Sequence, residues 1–223
     1  MKLIITGATG MVGEGVLIEA LKSPQMDKVL VISRKKIGMV HEKLEQLLLS
    51  DFFEIGSQLN GLSGYDACCF CLGVSSVGMK EADYRRLTYD LTLNFAQAIL
   101  PNNPKMTFMY ISGSATDSTE KGKMMWARVK GKTENDLMQL GFKDCYCFRP
   151  GYLQPTPGQK NKLFFYKWIG WMYPLFETIA RKYVSRLSEL GVAMLYVAEH
   201  GYNRKVIEVN DIHLINEKLK NEK

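Results

Sequence analysis

Gly7, Gly10 and Gly13, spaced three apart, are the residues of this chain whose type and spacing carry the plainest chemistry. They follow an apolar run, Leu3 to Ile5, and precede Val16, Leu17, Ala20 and Leu21 at helical spacing. The glycines therefore fall where a strand turns into a helix, the context in which this pattern is a dinucleotide fingerprint. Gly7 allows the tight turn, Gly10 leaves the backbone open to a pyrophosphate, and Gly13 lets the helix lie close to the sheet. The free amides of the first helical turn then face the phosphates, with the positive end of the helix dipole behind them. The plainer alternative is a strand-to-helix turn that needs glycine only for its own geometry.

A second group bears on which dinucleotide is bound. Lys28 to Ser33 is another apolar run, and Arg34, Lys35 and Lys36 follow its carboxyl end. An acidic residue there would hold the adenosine 2′-hydroxyl, whereas a basic one suits a 2′-phosphate. No Asp or Glu stands at this position, so NADP is expected, with NAD as the alternative. The competing reading is a solvated basic loop.

The elements that must position these residues alternate along the chain. Leu44 to Leu49 fits a helical turn or a buried strand, and we expect a strand. Tyr65 to Leu72, Met106 to Ile111 and Asp144 to Phe148 read as further strands. They end at Gly73-Val-Ser-Ser76, Ser112-Gly-Ser114 and Arg149-Pro-Gly151. Ala82 to Leu100, stopped by Pro101, and Met124 to Leu140, stopped by Gly141, read as helices. Alternation of this kind predicts an α/β fold, a doubly wound parallel sheet of the Rossmann type. Ligands then bind beyond the carboxyl ends of the strands. Past Pro155 the pattern changes. Leu163 to Tyr183 carries Phe164, Phe165, Tyr166, Trp168, Trp171, Tyr173 and Phe176, and reads as a small C-terminal helical lobe over the site. The basic residues flanking it make a membrane-surface helix the sharper alternative. Ser188 to His200 reads as a helix, Lys205 to Val209 as a strand and Ile212 to Leu219 as a terminal helix. We expect residues 1–223 to form a single NAD(P)-binding domain, with 152–186 a substrate-lobe insertion.

Composition narrows the function classes. A hydrophobic share of 46% suits a globular core, and no apolar run is long enough to span a bilayer. A net charge of +6 suits an anionic ligand and does not by itself argue for nucleic acid. Met1 and Lys2 lead directly into the glycine loop, so no secretory signal is expected. Cys68, Cys69, Cys71, Cys145 and Cys147 lie in apolar strands without metal-ligand spacing and read as buried thiols. Together these predict a cytoplasmic protein with no metal. The partner is a small-molecule substrate rather than nucleic acid or membrane, and a homodimer is the oligomer to test.

Thr6-Gly-Ala-Thr-Gly-Met-Val-Gly13, Leu72-Gly73, Ser112-Gly-Ser114, Lys130 and Phe148-Arg-Pro-Gly151 resemble an atypical short-chain dehydrogenase/reductase. More narrowly, the chain resembles the Tat-interacting oxidoreductase-like branch, kin to the NAD-dependent epimerase/dehydratases. The resemblance runs from Met1 to about Gly151. It implies a cofactor lying along Gly7, Thr9, Gly10, Met11, Val12 and Gly13, then along Ser33, Arg34 and Lys35. It places Asp51 and Phe52 near the adenine, Leu72, Gly73 and Pro150 against the cofactor, and Lys130 at the nicotinamide ribose.

The family's chemistry uses a Ser, a Tyr and a Lys four residues after the Tyr. A free phenol has a pKa of roughly 10, and a nearby ammonium lowers it. Ser114 matches the serine, with Ser112 as a second candidate, and Lys130 matches the lysine. The position four residues before Lys130 is Trp126. An indole donates one N–H and relays no proton. Tyr84, Tyr110 and Tyr152 are substitutes to test against the structure, Tyr152 first among them. His41, His200 and His213 form no triad order. The chain therefore reads as an NADP-dependent oxidoreductase or epimerase-like enzyme with an altered proton donor. The alternative is a catalytically impaired cofactor-binding redox sensor or scaffold.

Overall fold

A computed structural model describes residues 1–59, 61–161, 173 and 178–222. The strands are β1 (Lys2–Thr6), β2 (Lys28–Ser33), β3 (Leu44–Leu48), β4 (Ala67–Phe70), β5 (Thr107–Ile111), β6 (Asp144–Arg149), β7 (Tyr152–Gln154), β8 (Val184–Arg186) and β9 (Val206–Glu208). Seven of them form one sheet in the order β3-β2-β1-β4-β5-β6-β9, parallel throughout. The helices are α1 (Met11–Lys22), α2 (Glu81–Arg85), α3 (Leu91–Ile99), α4 (Met125–Met138), α5 (Leu187–His200) and α6 (Val209–Asn221). This is the expected doubly wound α/β fold.

Its cause is visible in the strand sequences. A parallel sheet covered on both faces needs near-continuous apolar strands. Leu3, Ile5, Val29, Val31 and Cys69 point to one face and pack with Val16, Leu17, Leu190 and Met194 from α1 and α5. Ile4, Leu30, Ile32, Cys68 and Phe70 point to the other and pack with Phe95, Ile99 and Leu137 from α3 and α4. The ambiguous Leu44 to Leu49 is a strand, half-buried at the sheet edge. All five cysteines are free; burial pushes the Cys68 and Cys69 thiols up, and Cys71 up to about 12.

The sequence expectation differs from the structure at several points. The single helix expected over 82–100 contains a π turn, Arg86–Asp90, between α2 and α3, which no periodicity announces. A second sheet, β7 paired in parallel with β8, was not expected. It ties the two ends of the segment 152–186 together. A Cβ on Gly151 would stand 2.0 Å from the Tyr183 carbonyl oxygen, so only glycine lets the two chains pass here. The helical-lobe and membrane-surface readings of Leu163 to Tyr183 fall on 162–172 and 174–177, outside the described residues. Among the described residues no helix is long and apolar enough to cross a membrane.

The carboxyl end of β6 is anchored by a buried ion pair. Arg149 Nε donates to Glu134 Oε1 at 3.0 Å, and its Nη2 reaches Glu134 Oε2, a bidentate pair. Glu134 is fully buried on α4, and Arg149 also reaches Glu208 at the end of β9. The pair thus joins α4, β6 and β9. Removing one member strands the other as an uncompensated buried charge. Arg149→Ala is expected to destabilise the protein by about 3–5 kcal/mol. Urea unfolding monitored by far-UV circular dichroism checks this, and a midpoint equal to that of the parent chain contradicts it.

Candidate functional site

The loops singled out in the sequence gather at one end of the sheet. Gly7 adopts φ +72°, and a Cβ there would stand 2.6 Å from the Cys71 carbonyl oxygen. β1 and the chain leaving β4 can approach this closely only because position 7 has no side chain. A Cβ on Gly13 would lie 2.3 Å from the Gly7 carbonyl oxygen, so the first turn of α1 rests on the loop itself. Gly10 differs from both. It caps α1 at φ −98° and ψ 168°, backbone open to any residue. Its Cβ would meet only the Gly7 oxygen, at 3.3 Å, a contact relieved by a few tenths of an ångström. Thr9 and Gly10 are exposed, and Met11 and Val12 half-buried, beside the open first turn.

Past β2, Ser33 is buried and donates its hydroxyl to the Lys35 carbonyl at 2.7 Å, which shapes the turn. Arg34, Lys35 and Lys36 are exposed, with no acidic partner among the described residues. Of the pair assigned to the adenine, Asp51 is at the surface, but Phe52 is 3% exposed and packs in the core at 6.0 Å from the Phe95 ring. The Phe52 ring is thus committed to the core, which leaves its backbone and Asp51 as the groups that can border an adenine here. Leu72 is half-buried and Gly73 exposed at the end of β4.

Backbone hydrogen bonds draw the β5 and β6 ends together: Ser112 N donates to Phe148 O at 2.8 Å and Ser114 N to Pro150 O at 2.9 Å. The two serines then part company. Ser112 is buried, and its hydroxyl is 2.9 Å from that of Thr116. Ser114 is half-buried, and its hydroxyl makes no hydrogen bond among the described residues. It is the serine left to meet a ligand.

Lys130 lies on α4, four residues after the half-buried Trp126. Its ammonium donates to Ser112 O at 2.8 Å and sits 5.6 Å from the centre of the Tyr110 ring. Gly131 fixes that placement, because its Cβ would stand 1.8 Å from the Asp117 carbonyl oxygen. Burial penalises the charged form and brings Lys130 down to about 8.

The structure sorts the substitute tyrosines. Tyr84 and Tyr110 are buried, and burial pushes both phenols up. Tyr152 is half-buried, with its hydroxyl 3.2 Å from Gln154 Oε1. The histidines are taken up structurally: His41 accepts from Lys43 N, His200 stacks on Tyr196, and His213 contacts Val184 O.

Sequence reasoning missed one wall of the site. Glu14, in the first turn of α1, is 6% exposed and accepts from Lys160 N at 3.0 Å and Asn161 N at 2.7 Å. Gln159, also buried, donates to Met11 O and accepts from Thr156 N at 3.2 Å. The segment after β7 is thereby strapped across the start of α1. An acid in a first helical turn is a local signal for a partner there, but nothing in the sequence points to Gln159. Between strap and loop opens a cleft of about 420 Å³, lined on one side by Thr9 and Lys36 and on the other by Gly158 and Lys160.

No protein-family model matches the chain. Among curated proteins it is similar to leucinostatins biosynthesis cluster protein T of Purpureocillium lilacinum, at 29% identity over 63% of this chain. It is also similar to the mitochondrial protein fmp52-1 of Aspergillus terreus, at 25% over 71%, and to mitochondrial FMP52 of Candida albicans, at 26% over 69%. The matches span 52%, 69% and 67% of those proteins, about half of the first. The mitochondrial names of the fmp52 relatives overturn the expectation of a cytoplasmic protein. That expectation leaned on cysteine usage and the residues after Met1, neither of which separates the cytosol from a mitochondrial compartment. Among solved structures, MoeE5 in complex with UDP-glucose and NAD superposes with a TM-score of 0.66 at 14% identity, covering 99% of this chain and 82% of that one. A short-chain dehydrogenase family protein from Francisella tularensis gives 0.66 at 12%, covering 93% and 95%. The chain shares the Rossmann-type fold of short-chain dehydrogenases.

The displaced ammonium yields a direct test. A lysine lowered to about 8 is half unprotonated at that pH, whereas ordinary surface lysines, near 10.4, stay charged. Acylation of Lys130 by an amine-selective reagent, followed by peptide mass spectrometry, is expected to reach half its maximal rate near pH 8, ahead of ordinary exposed lysines. Labelling in step with them contradicts the assignment.

Proposed function

We propose that the protein binds a nicotinamide dinucleotide across the carboxyl ends of β1, β4 and β5, prefers NADP to NAD, and works as an oxidoreductase of the short-chain dehydrogenase type. The observation that carries this reading is Gly10. The fold requires glycine at positions 7 and 13, where a Cβ would collide with backbone oxygens at 2.6 and 2.3 Å. It makes no such demand at position 10. A glycine that the protein does not need, at the mouth of an open helix amino terminus, is what a diphosphate would require. The unpaired Arg34 and Lys35 support a 2′-phosphate, and the NAD complex of MoeE5 supports dinucleotide binding on this fold.

In this reading the first-turn amides of Met11, Val12 and Gly13 hold the diphosphate, and Arg34 and Lys35 hold the adenosine phosphate. Ser33, Asp51, Leu72, Gly73 and Pro150 line the remaining length of the cofactor. The cofactor supplies hydride chemistry when bound. Ser114 orients the substrate oxygen through its uncommitted hydroxyl, and Lys130 holds the ribose. Trp126 donates a hydrogen bond and carries no proton to exchange. The narrower kinship with the Tat-interacting oxidoreductase-like branch belongs to this proposal. Trp126 also favours a second reading, a cofactor-loaded sensor or scaffold with little turnover.

Gly10→Ala separates ligand from fold. The variant is expected to keep its unfolding free energy within about 1 kcal/mol, since its one new contact, 3.3 Å from the Gly7 oxygen, asks for a shift of a few tenths of an ångström and its φ suits any residue. It is expected to lose NADPH binding by calorimetry at least tenfold. Absence of heat from the parent chain with NADPH, NADH and their oxidised forms overturns the reading outright.

Trp126→Tyr decides between enzyme and sensor. Restoring a phenol four residues before Lys130 is expected to raise the rate of NADPH oxidation with a panel of carbonyl compounds by about 100-fold, the scale of a positioned general acid. Parent turnover equal to that of the variant shows that the proton comes from elsewhere.

A further inference from the structure

The strap across α1 carries basic charge to a place where the post-β2 loop already carries it. Lys36 from the loop after β2, Thr9 from the glycine loop and Lys160 from the strap all line one cleft. Neither lysine has an acidic partner among the described residues. The cleft floor is apolar, made by Leu17, Ile18, Ile37 and Met39. Glu14 also lines it, but its carboxylate is occupied by the amides of Lys160 and Asn161 and stands at the positive end of α1. The cleft therefore presents two ammonium groups and one hydrogen-bonded carboxylate, a balance that is positive.

The strap is a built feature rather than a passing loop. Glu14 and Gln159 are both more than nine-tenths buried, and together they fix residues 156–161 to the first turn of α1. Lys160 thus starts from an anchored backbone. Its exposed side chain meets a phosphate as a point charge, with the backbone already ordered and only the side-chain rotamers left to fix.

We propose that Lys160 is a specificity-determining residue for the cofactor: with Lys36, which lines the same cleft, it adds to Arg34 and Lys35 in receiving the phosphate on the adenosine 2′-oxygen of NADP. This rests on the NADP reading above and extends it to a part of the chain far in sequence from β2. A phosphate monoester carries close to two negative charges at neutral pH, which two ammonium groups balance. The hydroxyl of Thr9 adds a neutral donor at the same spot. The strap also belongs to the segment between β6 and β8, so the same contact links adenosine recognition to the substrate side.

The test compares NADPH and NADH binding, read by calorimetry, in the parent chain and in Lys160→Gln, Lys160→Arg and Gln159→Ala. The parent is expected to prefer NADPH. Lys160→Gln is expected to weaken NADPH about tenfold, the scale of one charge-assisted contact, and to leave NADH within about twofold. Lys160→Arg keeps the charge and is expected to restore most of the preference. Gln159→Ala releases the strap and is expected to weaken NADPH selectively; thermal melts of each variant separate this from unfolding. A parent that prefers NADPH, with Lys160→Gln retaining that preference in full or losing both cofactors equally, overturns the role of Lys160 alone. A parent that binds neither cofactor, or both equally, overturns the NADP reading and this inference with it.

Discussion

Backbone-to-backbone contact at the first crossover is the constraint on which this molecule depends. The Gly7 Cα lies against the carbonyl of Cys71, and the Gly13 Cα lies over the carbonyl of Gly7. No side chain fits in either interface. The contact draws the start of α1 onto the carboxyl end of the sheet, between β1 and β4. That leaves the first-turn amides facing outward with no acceptor from their own helix. Such groups are satisfied by water or by an anion, and the geometry around them is already arranged. The parallel strands do the rest, because every one of them ends at this side.

Close approach alone would not hold the other half of the site. The β5 and β6 ends are tied by the Ser112–Phe148 and Ser114–Pro150 backbone bonds. Behind them stands the Arg149–Glu134 pair, with Glu134 on the helix that also presents Trp126 and Lys130. Burial makes that pair demanding, since either charge alone would be stranded. It also makes the placement of α4 specific, and Gly131 lets that helix settle against the Asp117 carbonyl. The ammonium of Lys130 is thereby held near Ser112, surrounded by enough protein to make its proton easy to lose.

Most of this could be read in the sequence, because it rests on local rules. Apolar runs such as Lys28 to Ser33 declare buried parallel strands, and Pro101 and Gly141 mark where helices stop. The glycine spacing declares the crossover. What escaped was nonlocal or aperiodic. β7 and β8 are three residues each, their paired residues such as Leu153 and Ser185 are 32 apart in sequence, and nothing in either announces the other. The π turn at Arg86–Asp90 leaves the apolar pattern of its helix intact. That the Phe52 ring turns into the core against Phe95 is likewise a tertiary contact that its place in the sequence does not declare. Gln159 reaches α1 across more than a hundred residues, a contact no spacing encodes.

The polar groups at this end of the sheet fall into two sets, and the division is informative. One set is consumed by the protein: the Ser112 hydroxyl by Thr116, the Ser33 hydroxyl by Lys35, the Glu14 carboxylate by the strap, the Arg149 guanidinium by Glu134. The other set makes no hydrogen bond or ion pair with a side chain among the described residues: the Ser114 hydroxyl and the exposed cations of Arg34, Lys35, Lys36 and Lys160. These are the groups at this end of the sheet that a ligand can engage without displacing an internal contact. The remainder is not random in kind. It is cationic on the side of β2 and the strap, and a neutral hydroxyl on the side of β5. That polarity matches a ligand with its phosphates over β1 and β2 and its reacting end over β5. With Tyr84 and Tyr110 buried and raised, and an indole at 126, Lys130 is, among the described residues on the β5 side, the group that burial brings down toward neutral pH.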